Sequence, residues 1–195
     1  MIFKSKIGSE KMIKNTLTVL EKGGIIMHAT ETCYGFACDA FNKKAIKRLY
    51  TLKKMNAKKP SSIMVTDLKT AQKYGKFNNL ALKLARKYWP GPLTIIVQRR
   101  ASLPKFLNPS AKTIGIRCPN HELTQKILKA YNHPIITTSA NLSGEKEIYS
   151  VRALSKKIKP DLIIDSGTIP HRKPSTIVST EKNKIEILRQ GTLKI

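Results

Sequence analysis

Apolar positions recur along this chain with two periods, and the change from one period to the other predicts most of its elements. Ile13, Leu17 and Leu20 repeat at helical spacing behind Ser9, a residue suited to cap a helix, and Gly23 closes the segment. Ile25, Ile26 and Met27 then form a short apolar run that predicts a buried strand. Residues 29–39, read A-T-E-T-C-Y-G-F-A-C-D, turn polar at once, so the pattern over 25–52 predicts strand, polar loop and helix. That helix, Lys43–Leu52, collects Ala45, Ile46, Leu49 and Tyr50 on one face.

A cationic stretch, K-K-M-N-A-K-K-P, leads into a strand at 61–65, and Asp67 is placed to cap a short helix. Asn79–Tyr88 reads as a helix that must stop at Trp89-Pro90-Gly91-Pro92, because neither proline can continue it. Strands are expected at 93–98, Thr113–Arg117, 135–138, 162–165, Thr176–Ser179 and 185–188, with helices at 121–130 and 151–158. No internal repeat or low-complexity linker interrupts the pattern.

At 195 residues and 41% hydrophobic content the chain is sized for one core, and its longest apolar runs fall far short of the ~20 residues of a membrane span. The first ten residues lack a continuous apolar segment and a small-residue cleavage site, so a cytoplasmic protein with no membrane partner is expected. Cys33, Cys38 and Cys118 have no C-x-x-C spacing and are expected to be small buried thiols. The formal charge of +25 points to polyanionic ligands such as nucleotides or RNA. Only 8 of the 37 cations are arginines, which leaves 29 lysines, many of them expected on solvated faces.

Candidate chemistry gathers where strands end. Thr30, Glu31 and Thr32 place two hydroxyls and a carboxylate after the first long strand, where open α/β sheets form their ligand crevice. The strand at 135–138 runs into T-S-A-N-L-S-G, a turn able to offer O–H and N–H donors to phosphate or carboxylate oxygens. Arg117 and Arg189 each end a strand, where a planar fork can hold an anion, and Ser175-Thr176 opens another. G-x-x-x-x-G-K-[ST], H-E-x-x-H and G-x-S-x-G are all missing. His28, inside an apolar run, is expected to be a packed core histidine.

Taken together, residues 29–39, Lys53, Lys59-Pro60, Trp89 to Thr94, Arg117-Cys118-Pro119, Thr138 to Gly144, Ser175 to Val178 and Arg189-Gln190-Gly191 resemble YrdC-like proteins in order and spacing, over nearly the whole chain. The resemblance implies a single α/β domain over residues 1–195, with a twisted mixed parallel/antiparallel sheet, flanking helices and a deep basic cavity. It also implies an L-threonylcarbamoyladenylate synthase, which joins L-threonine, bicarbonate or CO2 and ATP into threonylcarbamoyl-AMP and pyrophosphate, for N6-threonylcarbamoyladenosine in tRNA. By carry-over, Thr30, Arg117, Thr137 and Ser175 would bind threonine, and Lys53, Thr113, Ser139, Asn141 and Arg189 the nucleotide, with Lys53 also catalytic. Magnesium is expected on the triphosphate, with no protein-bound metal. Threonylcarbamoyl-transfer machinery and tRNA or other RNA are the implied partners.

Three positions depart from the family pattern. Ala29 stands where a proline is usual, His171-Arg172 where small residues are, and the family's K-x-R reads Lys53-Lys54-Met55. Lys54, Lys58 and Lys59 are the cations near enough in sequence to replace the arginine, although a lysine lacks its fork. An RNA-binding module of the same fold with weak or no synthase activity is the alternative reading.

Overall fold

A computed structural model describes residues 2–3, 9–56 and 59–195. Its helices are α1 (Glu10–Glu21), α2 (Lys43–Leu52), α3 (Leu68–Tyr74), α4 (Asn79–Tyr88) and α5 (Glu122–Tyr131). The strands are β1 (Ile2–Phe3), β2 (Ile26–Ala29), β3 (Tyr34–Asp39), β4 (Ser62–Met64), β5 (Gly75–Lys76), β6 (Leu93–Arg99), β7 (Thr113–Arg117), β8 (Ile135–Ser139), β9 (Leu162–Ile164), β10 (Thr176–Ser179) and β11 (Glu186–Arg189). One sheet holds them all in the order β1-β9-β2-β3-β8-β4-β7-β6-β10-β11, with β5 beside β6. Parallel pairs (β2 with β9, β4 with β7, β6 with β10) occur beside antiparallel ones (β2 with β3, β3 with β8, β4 with β8), so the sheet is mixed, as expected.

Local chemistry sets the helix ends. Side chains of Ser9, Asn42, Asp67, Asn78 and His121 each accept a backbone N–H from the first turn of the helix they precede, satisfying a donor that would otherwise lack a partner. Helix α2 ends where Lys54 takes φ +51, the N–H of Lys54 reaching Thr51 O and that of Met55 reaching Tyr50 O. This is a Schellman closure with lysine in the left-handed position that glycine normally fills. It turns the chain sharply and sends Lys53 and Met55 toward the strand ends.

Two predicted features are corrected. Between the polar loop and α2 the chain forms a further strand, β3, which returns antiparallel along β2 and pairs with β8 on its other side. Tyr34 through Cys38 are all buried, so this strand carries no apolar–polar alternation to reveal it. The segment 151–158 is not a helix but a 3-10 turn at Val151–Ala153, followed by a second tight turn in which the Ile158 N–H meets Ser155 O. Ser150 makes no capping hydrogen bond and the backbone turns extended at Leu154, where ψ is 128, so no α-helix propagates, yet the turns still bring Val151, Leu154 and Ile158 against the core.

Alternate residues of the strands feed two cores. Met27, Phe36, Ile63 and Ile136 face α2, α3 and α4, whereas Ile26, Ala37, Met64, Ile135 and Leu162 face α1 and α5. Each fully buried Leu or Ile among them contributes roughly 1.5–3 kcal/mol of transfer free energy. On the second face the two helices cover only part of the sheet. Following β8 along that face, Ile135 lies under α5, while Thr137 and Ser139 lie beyond it.

Candidate active site

The uncovered part of the second face is the floor of a cavity of about 230 Å³. Gly35, Ser62, Thr94, Thr137 and Ser139 line it from β3, β4, β6 and β8, small or hydroxylated residues that leave room and offer donors. Its walls carry four cations, Lys53, Lys59, Arg117 and Arg189, and one carboxylate, Glu147.

Arg117 ends β7 beside β4, where Met64 is its register partner. Its guanidinium is buried and pairs with Glu31 at 2.9 Å, while Nη1 and Nη2 donate to Thr32 Oγ1 at 3.4 and 3.3 Å. Glu31 Oε1 also accepts the Asn120 N–H at 3.0 Å. Burial alone would raise the Glu31 carboxyl, but the charge and hydrogen bond of Arg117, with the Asn120 N–H, outweigh it and hold the group below its ordinary value. Two atoms of this pair, Arg117 Nε and Glu31 Oε2, are buried with no hydrogen-bond partner. Thr30 ties the turn from within: its hydroxyl donates to Cys33 O at 2.8 Å and accepts the N–H groups of Thr32 and Cys33.

Lys53 closes the opposite wall. Its ammonium donates to Ser139 O, to Asn141 O at 2.8 Å and to Asn141 Oδ1 at 3.2 Å, and its own carbonyl accepts the Ser143 N–H at 2.9 Å. The Ser139 hydroxyl donates to Asn141 Oδ1 as well, and Asn141 Nδ2 reaches Glu145 O at 2.5 Å. The end of α2 therefore holds the hydroxyl-rich turn in place. Burial pushes the Lys53 ammonium down to about 8, which still leaves it largely protonated at neutral pH.

A third wall comes from the C-terminal crossing. Ser175 Oγ lies 2.9 Å from Thr94 Oγ1, and Arg189 Nη2 donates to Ser175 O and Oγ at 2.8 and 3.1 Å. Gly191 makes the crossing possible, since a Cβ there would stand 2.1 Å from Pro174 O. Burial lowers the Arg189 guanidinium, and Glu147 opposes that shift.

Eight of the nine residues expected at the site line this cavity: Thr30, Lys53, Arg117, Thr137, Ser139, Asn141, Ser175 and Arg189. Thr113 is not among the lining residues; it sits at the other end of β7 from Arg117, opposite Gln98. Met55 does line the cavity, as the family register implies, and so does Lys59, while Lys54 points to solvent. Lys58 lies outside the described residues. His28 is wholly buried, and the three cysteines are buried and unpaired. The reading of residue types missed Thr94 and Glu147, which carry no local signal, and gave Glu31 and Thr32 no role of their own.

Comparisons with known proteins bear on the family and the fold. A family model, Sua5_yciO_yrdC, described as "Telomere recombination", matches residues 18–191. A protein of Methanocaldococcus jannaschii is 36% identical over 193 residues, covering 96% of this chain and 91% of its own. The threonylcarbamoyl-AMP synthase of Vibrio vulnificus is 30% identical over 184 residues, covering 92% and 98%. Among solved structures, Pyrococcus abyssi Sua5 complexed with L-threonine superposes with a TM-score of 0.88 at 27% identity. That match takes in 98% of this chain but only 57% of the Sua5 chain, so the present chain spans little more than half of that relative.

Proposed function

The chain belongs to the Sua5/YciO/YrdC family, and on that premise we propose that it forms threonylcarbamoyl-AMP and pyrophosphate from L-threonine, bicarbonate or CO2 and ATP. The observation that carries the reading is the convergence, in one cavity, of four cations with the hydroxyls of five strand ends. In this reaction the threonine amine becomes a carbamate, whose oxygen attacks the α-phosphorus of ATP and expels pyrophosphate. Every reactant is anionic at that step, so positioning and stabilisation of charge do the work, and no side-chain nucleophile is needed.

Arg117 holds the threonine carboxylate, with Thr30, Thr137 and Ser175 around the amino acid. Ser139, Asn141 and Arg189 hold the nucleotide. Lys53 reaches the phosphates by exchanging acceptors of the 139–141 turn for phosphate oxygens, and Lys59 supplies the second charge that the absent arginine would have brought. Thr113, outside the cavity, has no part in this assignment. Magnesium travels with the triphosphate: the one carboxylate in the wall, Glu147, suits an ion held mainly by phosphate oxygens and water. Among the described residues no helix is long and apolar enough to cross a membrane. The reading places the chain in the cytoplasm, handing its product to threonylcarbamoyl-transfer machinery that acts on tRNA.

The test is pyrophosphate release with threonine, bicarbonate or ATP omitted in turn. Release is expected only with all three present. Equal release without threonine, beside RNA binding of steep salt dependence, would return the chain to the RNA-module reading.

A further inference from the structure

Large apolar side chains that stay in water gather at one place on this protein. Among the described residues they are Phe41 and a group at one edge of the sheet, Ile185, Ile187, Leu188 and Ile195. The strand at that edge, β11, pairs with β10 and, among the described residues, with no strand on its other side. Its outer edge therefore sets a row of backbone N–H and C=O groups beside aliphatic side chains. The register with β10 steps from Ile187 to Arg189, which makes Leu188 the extra residue of a bulge that re-aims its side chain. Of the other devices that keep an edge bare, β11 has neither a proline nor a lysine.

Past its end the chain borders a hollow of about 600 Å³, whose lining includes Arg172, Lys173, Gln190, Thr192, Lys194 and Ile195. Among the described residues this lining holds three cations and no acidic side chain. Arg189 is not one of them, because it turns to Ser175 O and Oγ in the cavity described above. Each feature selects part of a ligand. A row of backbone groups takes another extended backbone, the aliphatic rim takes the apolar side chains of every second residue, and the hollow takes carboxylates. Nucleic acid matches only the last, having no strand edge to pair, and Ile185, Ile187 and Leu188 offer no ring on which a base could stack. A second copy would bring its own +25 and be repelled.

We propose that β11 is a docking edge for an extended, acidic segment of a partner protein, which adds to the sheet as a further strand. Antiparallel addition is the slightly more stable arrangement, and it sets the beginning of the partner strand against the end of β11 that meets the hollow. The partner's acidic residues therefore precede its apolar ones. This surface uses no side chain assigned to the reaction above, so it stands or falls independently of that reaction.

The probe is a fluorescein-labelled peptide with a short acidic run followed by alternating valine and threonine. Anisotropy should show saturable binding, and hydrogen exchange should slow at the amides of residues 186–189. A peptide with lysines in place of the acidic residues should not bind, nor should one N-methylated at alternate backbone nitrogens. Lys173→Glu/Lys194→Glu, at two exposed positions, should weaken the acidic peptide about tenfold without lowering the melting temperature. Absence of saturable binding overturns the proposal, and so does equal binding of the N-methylated peptide, which would report charge attraction alone. Unchanged affinity in the double variant removes the hollow from the site and overturns it as well. Where the peptide fails, an oligouridylate that binds and is lost in the double variant would give the surface to nucleic acid. Dimers in sedimentation that Leu188→Lys abolishes would give it to a second copy.

Discussion

One face of the sheet is two surfaces. Under α1 and α5 it shows Ile26, Ala37, Met64 and Ile135; two residues further along the same strands it shows Gly35, Ser62 and Thr137. The backbone is continuous across the boundary, and only the side chains change. A polar residue at an inward position of a strand is costly beneath a helix, where no water can satisfy it, and useful where the helix stops and a ligand can. The boundary between apolar and hydroxylated residues on one strand therefore marks the edge of the helical cover, and with it the edge of the site.

The largest expected effect comes from breaking the buried charge on the open side. Arg117→Ala leaves Glu31 buried without its cation and should lower stability by about 3–5 kcal/mol in a denaturant melt. Titration calorimetry should show threonine affinity falling about ten- to a hundredfold, with ATP binding largely kept. Unchanged threonine affinity would remove Arg117 from the amino-acid site.

Next, exchanging the two surfaces along β8 tests the boundary directly. Ile135→Thr puts a hydroxyl beneath α5 and removes buried carbon, for an expected loss of about 3 kcal/mol. Thr137→Val, two residues away in the cavity, should stay within about 0.5 kcal/mol. Equal losses at the two positions would mean that the boundary is not where the structure draws it.

On the covered side, His28 is a titratable exception. His28 is wholly buried beside α5, its Nδ1 within 3.0 Å of Ala29 O and 3.2 Å of Thr124 Oγ1, with Nε2 unpartnered. Burial, helped by the positive potential of His121, lowers it to about 4 from the ordinary 6.5. Between pH 6.5 and about 4 the unfolded chain takes up a proton that the native chain refuses, so stability present above pH 6.5 is lost as the pH falls through this window. The loss reaches at most about 3 kcal/mol. Melting temperatures across the window should show that slope, and His28→Gln should flatten it whatever its absolute stability.

A smaller effect sits at the end of α2. Lys54→Gly removes the left-handed strain of the α2 closure and should raise stability by about 1 kcal/mol. A lower melting temperature would show that the lysine side chain contributes more than its backbone costs.

What the sequence made legible follows the range of the forces involved. Caps such as Ser9 and Asp67, the proline stop after α4 and the apolar face of α2 all act within a few residues, and each stands where the pattern placed it, whereas α1 buries Met12, Thr16 and Leu20 in place of the expected Ile13, Leu17 and Leu20. β3 was hidden because both its faces are buried, and its Gly35 looks like a break in a loop when it is a strand residue beside β8. The Glu31–Arg117 pair could not be read from spacing, since its partners meet only when the loop after β2 folds against the end of β7. Lys53 shows the same limit. Its place in the cavity was foreseen through family resemblance, but its bonds to Ser139 and Asn141 depend on where a distant turn arrives.

The outermost strand has a consequence for handling the protein in solution. Among the described residues β11 is bonded on one side only, to β10, and leaves Ile187 44% and Leu188 54% exposed along that rim. Such a rim is a template for sticky edge-to-edge growth. With a formal charge of +25, approaching copies repel each other before the strands can meet. That protection acts over a Debye length, about 10 Å at 0.1 M salt and about 3 Å at 1 M. The protein should therefore stay clear at low ionic strength and turn hazy as salt is added, with light scattering rising first in samples whose lysines have been acetylated.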